Sequence, residues 1–109
     1  MYMPETVICT YRVAAGNEDA FEDLLRRHWP TLHEYEVVTD EPARAYRGTD
    51  GDKRPYYVEI FEWLDGGFGR VHELPAVGAI WERMEALCEK RGDLPACEFP
   101  HVQPVDLTA

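Results

Sequence analysis

The side chains of this sequence best suited to chemistry are His72, Glu59 and His28, together with the aromatic residues near them. His72 stands nine residues beyond Trp63, just ahead of Leu74-Pro75, where a short segment hands over to a long helix. A histidine at such a junction can line a pocket and take a proton from a phenol near neutral pH. The competing reading is an imidazole satisfied by backbone carbonyls or by Glu73. Glu59 alternates with Tyr57, Phe61 and Trp63, so it shares their face of a strand, and a carboxylate among aromatics loses solvation and becomes a stronger base. Against that stands an ordinary ion pair across the sheet with Arg12, Arg44 or Arg47. Trp63, Phe61, Tyr11, Tyr46 and Trp81 form a set able to stack on a small planar aromatic ligand, or else simply to fill a core. His28 lies on the apolar stripe of the first helix, close to that set if the helix packs on the sheet, and otherwise reads as a buried, hydrogen-bonded histidine.

Other chemistries lack local support. His33 and His101 have no informative spacing, and Glu98 with His101 has no third ligand, so no metal site is expected. The chain has no GxSxG, GxGxxG, phosphate loop or CxxC, which leaves acyl transfer, dinucleotide binding and dithiol redox without a motif. Gly66-Gly67-Phe68-Gly69 lacks the Lys-Ser/Thr pair of a phosphate cradle and reads as a mobile lid or a plain loop. Cys9, Cys88 and Cys97 are an odd number without a close pair, so reduced thiols are expected, Cys9 as an inert core residue.

The elements that must position these residues follow from periodicity. Thr6 to Val13 alternates, with Val7, Cys9, Tyr11 and Val13 on its more apolar face. Asn17 is a natural N-cap, followed by a helix with Phe21, Leu24, Leu25, His28 and Leu32 as its stripe and a kink or break expected at Pro30, near Trp29. Ala43 to Thr49 reads as an edge strand, Asp50 to Pro55 as a hairpin loop and Tyr56 to Trp63 as the third strand. Asp65 is placed to cap a short, glycine-weakened helix. Pro75 then opens a long helix, with Val77, Ile80, Trp81, Met84 and Cys88 at helical spacing and Arg91-Gly92 as its close. Ala96 to Val105 is a fourth strand, confined by Pro100 and Pro104 to an edge or a bulge.

The order β-α-β-β-α-β specifies an α+β, ferredoxin-like domain with a four-stranded antiparallel sheet and helices on one face. At 109 residues it is a single domain spanning 1–109, after a short leader at Met1 to Glu5. Strands this aromatic would leave the opposite face bare, so a second copy is expected to cover it as a homodimer. A formal charge of -10, from 21 acidic and 11 basic residues, opposes nucleic acid and anionic lipid as partners. No signal sequence or membrane-length apolar run is present, so a soluble, cytoplasmic protein is expected.

Taken together, the GNEDAFEDLLRRHWPTL helix, the VEIFEW strand, the His-Glu-Leu-Pro step and the AIWERMEALCE helix resemble the antibiotic biosynthesis monooxygenase-like (ABM) family of dimeric α+β barrel proteins. The resemblance runs from Thr6 to about Val105. It implies two ferredoxin-like sheets pairing into a barrel, and an oxygenase that acts on aromatic or quinone-type substrates with no metal, flavin or other cofactor. Under it, His72 or Glu59 deprotonates a phenol held by the aromatics. The alternative within the same fold is a non-catalytic ligand-binding or accessory dimer. The family's haem-degrading branch depends on an Asn in the first strand and on a Trp and a His in the last helices; here the first strand lacks Asn, and the long helix carries Trp81 but no His.

Overall fold

The structure, a computed structural model, describes residues 4–108. Met1 to Met3 of the expected leader lie outside the described residues, and the first strand starts at Glu5. Five strands and three helices alternate as β1 (Glu5–Tyr11), α1 (Glu18–Glu34), β2 (Arg44–Thr49), β3 (Pro55–Trp63), α2 (Gly67–Val71), α3 (Pro75–Ala86), β4 (Cys97–Glu98) and β5 (His101–Val102). The sheet is antiparallel in the order β2-β3-β1-β4, with β5 also on β1, which makes the domain the expected α+β, ferredoxin-like one. The proline-bearing fourth strand is divided in two at Phe99-Pro100 and stays at the edge, because proline cannot donate to a ladder.

Register sets the two faces. Val7 pairs with Phe61, Cys9 with Glu59 and Tyr11 with Tyr57, so odd-numbered residues of both central strands point together toward the helices. These six are buried, as is Val13 beyond the strand end. Phe21, Leu24, His28 and Leu32 of α1 and Val77 and Met84 of α3 close over them. Burying one such apolar side chain contributes about 1.5–3 kcal/mol, so this layer is the main stabilising feature of the domain.

Three expectations about the helices change. First, of the kink or break expected at Pro30, the break does not occur, and α1 continues to Glu34. Leu24, His28 and Leu32 are buried on both sides of the proline, while Pro30 itself faces solvent, so packing holds the helix and water can serve the freed carbonyl. Second, α2 is capped by Gly66, at φ 73, rather than by Asp65. A Cβ on Gly67 would overlap the Val37 carbonyl oxygen, so this glycine marks a close backbone approach rather than a free loop. Third, α3 ends at Ala86, and Leu87 to Glu89 peel off to pair with β1, Val13 bridging Cys88. Gly92 is left-handed, at φ 61, but it serves the turn between Arg91 and Leu94 instead of the helix end.

Candidate functional site: an aromatic cavity backed by a buried hydrogen-bond chain

Between the odd face of the central strands and the helices lies a cavity of about 500 Å³. It runs along β1. At the Val7 end stand Trp63, Phe68, His72 and His101; at the Tyr11 end stand Met84, Lys90, Cys97 and Phe99. Four residues of strand separate Val7 from Tyr11, roughly 13 Å, so the walls suit an elongated flat molecule.

His28, from the middle of α1, reaches this space with 2% exposure. Its Nδ1 lies 2.9 and 3.1 Å from the two carboxylate oxygens of Glu59, and the Tyr11 hydroxyl donates to Glu59 Oε1 at 2.8 Å. On the other side, the Trp81 indole N–H donates to His28 Nε2 at 2.8 Å. An indole can only donate, so Nε2 must carry the lone pair and Nδ1 the proton, which it gives to Glu59. The chain Trp81–His28–Glu59–Tyr11 thus satisfies both imidazole nitrogens, the indole and the phenol. Burial, aided by the negative charge of Glu59, pushes the Tyr11 hydroxyl and the Cys9 thiol far above their ordinary pKa values, so neither ionises readily.

Glu59 sits where alternation placed it, among Tyr57, Phe61 and Trp63, but its partners are His28 and Tyr11 rather than an arginine. Arg12 instead pairs with Glu98 at 2.7 Å and Arg47 with Glu22 at 3.0 Å. Tyr11, His28 and Trp81 line the cavity, while Glu59 is not part of its lining and bonds to His28 and Tyr11 from behind. Phe61 meets the His28 ring edge-on with centroids 5.7 Å apart and Trp63 at 5.1 Å.

The rim is different. His72 is exposed at the end of α2, where its Nδ1–H donates to the Phe68 carbonyl at 2.8 Å. That bond fixes the tautomer and leaves Nε2 as the lone-pair nitrogen, beside Trp81 with ring centroids 6.1 Å apart. Trp63 is 3% exposed, lines the cavity and has its indole N–H buried without a partner. A buried donor left open in this way is uncommon, and Trp29 Nε1 is the other such atom among the described residues.

One aromatic of the expected set stands elsewhere. Tyr46 pairs with Val58, an even-numbered residue, so it projects from the opposite face of the sheet and is 53% exposed, away from the cavity. Conversely, His101, Phe68 and Cys97 line the cavity although nothing in their spacing singled them out. His101 opposes Val7 on β1, holds Glu5 at 2.9 Å and meets Phe68 edge-on. Its position depends on the division of the last strand at Pro100, which local periodicity could not register. Among the described residues, no three or more His, Cys, Asp or Glu side chains converge to hold a metal ion.

No protein-family model matches the sequence, and no curated protein matches it. Solved structures do share the fold. A point mutant of SnoaB from Streptomyces nogalater, a cofactor-independent oxygenase, superposes with a TM-score of 0.65 at 14% identity over 93% of this chain and 92% of its own. A NIPSNAP family protein from Agrobacterium tumefaciens matches with a TM-score of 0.64 at 12% identity over 98% and 90%. A putative antibiotic biosynthesis monooxygenase from Bordetella bronchiseptica gives 0.58 at 15% identity over 94% and 97%. The chain therefore has the ferredoxin-like α+β fold shared by ABM-like and NIPSNAP proteins, the fold its helix and strand motifs resemble.

Proposed function

We propose that the protein is a cofactor-independent, monooxygenase-like enzyme acting on a small phenolic or quinone-type aromatic. The observation that carries this reading is one aromatic-walled cavity lined both by Trp63, whose indole N–H has no partner, and by His72, whose Nε2 carries the lone pair. His72 takes the phenolic proton, and the anion spreads its charge into the ring. Trp63 donates to the ring oxygen where that charge collects. The electron-rich ring carbon then reacts with dioxygen in an apolar space; a ring CH2 becomes C=O, one oxygen atom is retained and the other leaves as water. Glu59 and Trp81 act as positioning residues that hold His28 still.

The cavity's second reading is a binding module without turnover. The saturation of His28 favours it, since no free lone pair remains on that histidine. Oxygen uptake with hydroxylated anthrones and naphthols separates the two. Catalysis predicts consumption that falls at least about tenfold in His72→Ala, as expected for loss of general-base help. Tight binding of the same compounds without uptake selects the module.

The working unit in this proposal is a homodimer. Ile8, Val58 and Ile60 on the even-numbered face are only half-buried in the single chain, with Tyr46 exposed beside them. A second copy laid on this face would remove that apolar strip from water. Light scattering at micromolar concentration should give twice the chain mass, and a monomer there would overturn the barrel. Among the described residues, no helix is long and apolar enough to cross a membrane.

A further inference from the structure

Two of the three cysteines, nine positions apart in the sequence, meet along one edge of β1 and the residues that continue it. The Arg12 amide donates to the Ala96 carbonyl and the Arg12 carbonyl accepts from the Glu89 amide, both at 2.8 Å, so the segments around Cys97 and Cys88 dock on the same edge from either side of one rung. Cys97 opposes Tyr11 and Cys88 opposes Val13. Alternation therefore gives both cysteines the same face, two rungs apart. That spacing is roughly 6.6 Å along a strand, at the upper end of the about 4.4–6.8 Å between Cα atoms that a disulfide spans. Both residues are half-buried, whereas Cys9 is buried. Cys97 also forms part of the cavity wall.

The two thiols are not equivalent. The nearness of Cys88 lowers the Cys97 thiol below its ordinary pKa, while the Cys88 thiol is raised by Cys97 and by burial. An attacking thiol needs access, and Cys97 forms part of the cavity wall whereas Cys88 does not.

We propose that Cys97 and Cys88 form a thiol–disulfide exchange site for low-molecular-weight disulfides, in which Cys97 attacks and Cys88 resolves. The Cys97 thiolate bonds to one sulfur of the reagent, whose S–S bond breaks to release a thiolate. Cys88 then loses its proton to solvent and attacks Cys97 Sγ, expelling the second reagent thiolate. Two protein thiols become one disulfide and the reagent is reduced to two thiols. The new bridge ties the segment after α3 to β4 and pins the cavity wall at its Tyr11 end.

Incubation of the full chain with oxidised glutathione, followed by intact mass and peptide mapping, tests this site without reference to any activity of the cavity. The expected product has lost two hydrogens, links the Cys88 and Cys97 peptides and keeps a single free thiol at Cys9. Cys88→Ser should stop at a mixed disulfide on Cys97, gaining one glutathionyl group, and Cys97→Ser should form adduct at least about tenfold more slowly because the activated thiol is gone. Wild-type protein that retains all three thiols, forms a bridge through Cys9, or stops at the mixed adduct would overturn the proposal.

Discussion

The cavity is bounded by two kinds of polar group, and their contrast organises its chemistry. Along the wall and just behind it, Trp81, His28, Glu59 and Tyr11 answer one another's hydrogen bonds within 2.8–3.1 Å. Elsewhere in the lining, the buried Trp63 has a donor with no acceptor, and at the rim the tautomer of His72 leaves it an acceptor nitrogen. A saturated group can position a neighbour but has nothing left to offer a ligand. An open one stores an unmade interaction that a ligand can complete. The difference suggests a ranking that burial and residue type alone, which make Glu59 look like a base, do not supply. The unused valence is the better guide.

Breaking the saturated side should have the largest effect. Glu59→Ala strips the acceptor from both the His28 Nδ1–H and the Tyr11 hydroxyl, each buried, and two orphaned polar groups should cost about 3 kcal/mol together. Urea unfolding would read this as a fall in midpoint. Glu59→Gln keeps the shape and one acceptor, and its loss should be about 1 kcal/mol. Equal losses in the two variants would mean that the hydrogen bonds are not what holds the chain together.

On the open side the pattern inverts. Trp63→Phe removes a donor that bonds nothing in the protein, so stability should change by less than about 1 kcal/mol, while affinity for a phenolic ligand should fall about tenfold as its oxygen loses a partner. Fluorescence titration of the variant beside wild type measures the second quantity, and urea unfolding the first. A large stability loss with unchanged affinity would place Trp63 with the saturated group.

Trp81 belongs to both sides, since it lines the cavity and donates to His28. Trp81→Phe should cost about 1 kcal/mol for the lost hydrogen bond and leave His28 Nε2 facing the cavity as a new acceptor. The variant should then bind phenols more tightly than wild type relative to the corresponding methyl ethers, which cannot donate. A ratio unchanged from wild type would show that Nε2 stays shielded.

Much of this arrangement was legible in the sequence, and the limits have physical causes. Period-two alternation in Thr6 to Val13 and Tyr56 to Trp63 identified the inward face correctly, because burial of one side of a strand leaves no freedom to slip by one residue. The same rule failed to place Tyr46, since β2 is exposed on most of its length and no apolar pattern marks its faces. Pro30 does not break α1, because its local penalty is smaller than the burial of Leu24, His28 and Leu32 around it. The residues that face Glu59 lie 31 and 48 positions away along the chain, and only the packing of α1 on the sheet brings them together. His101 and Cys97 depend on how a broken strand returns to β1, which no window of neighbouring residues encodes.

Asp50 provides the finest test, because it is saturated like Glu59 but lies near solvent. It accepts from the backbone amides of Asp52 at 2.9 Å and Arg54 at 3.0 Å, and from Arg91 at 3.0 Å. The Arg54 amide chiefly, with the Asp52 amide and the Arg91 charge, holds its carboxyl below the usual aspartate range. A folded-state pKa lower than the unfolded one stabilises the protein above the unfolded value, and that contribution disappears as pH falls through the folded value. Asp50→Asn should therefore lower the urea midpoint slightly at pH 7, and the difference from wild type should close as the solution is acidified through and below the usual carboxylate range. Salt should shrink it further at neutral pH, since water already screens this pair. If Asp50→Asn instead cost as much as Glu59→Ala, saturation alone and not its burial would set the penalty, and the division between wall and rim would have to be redrawn on hydrogen-bond count.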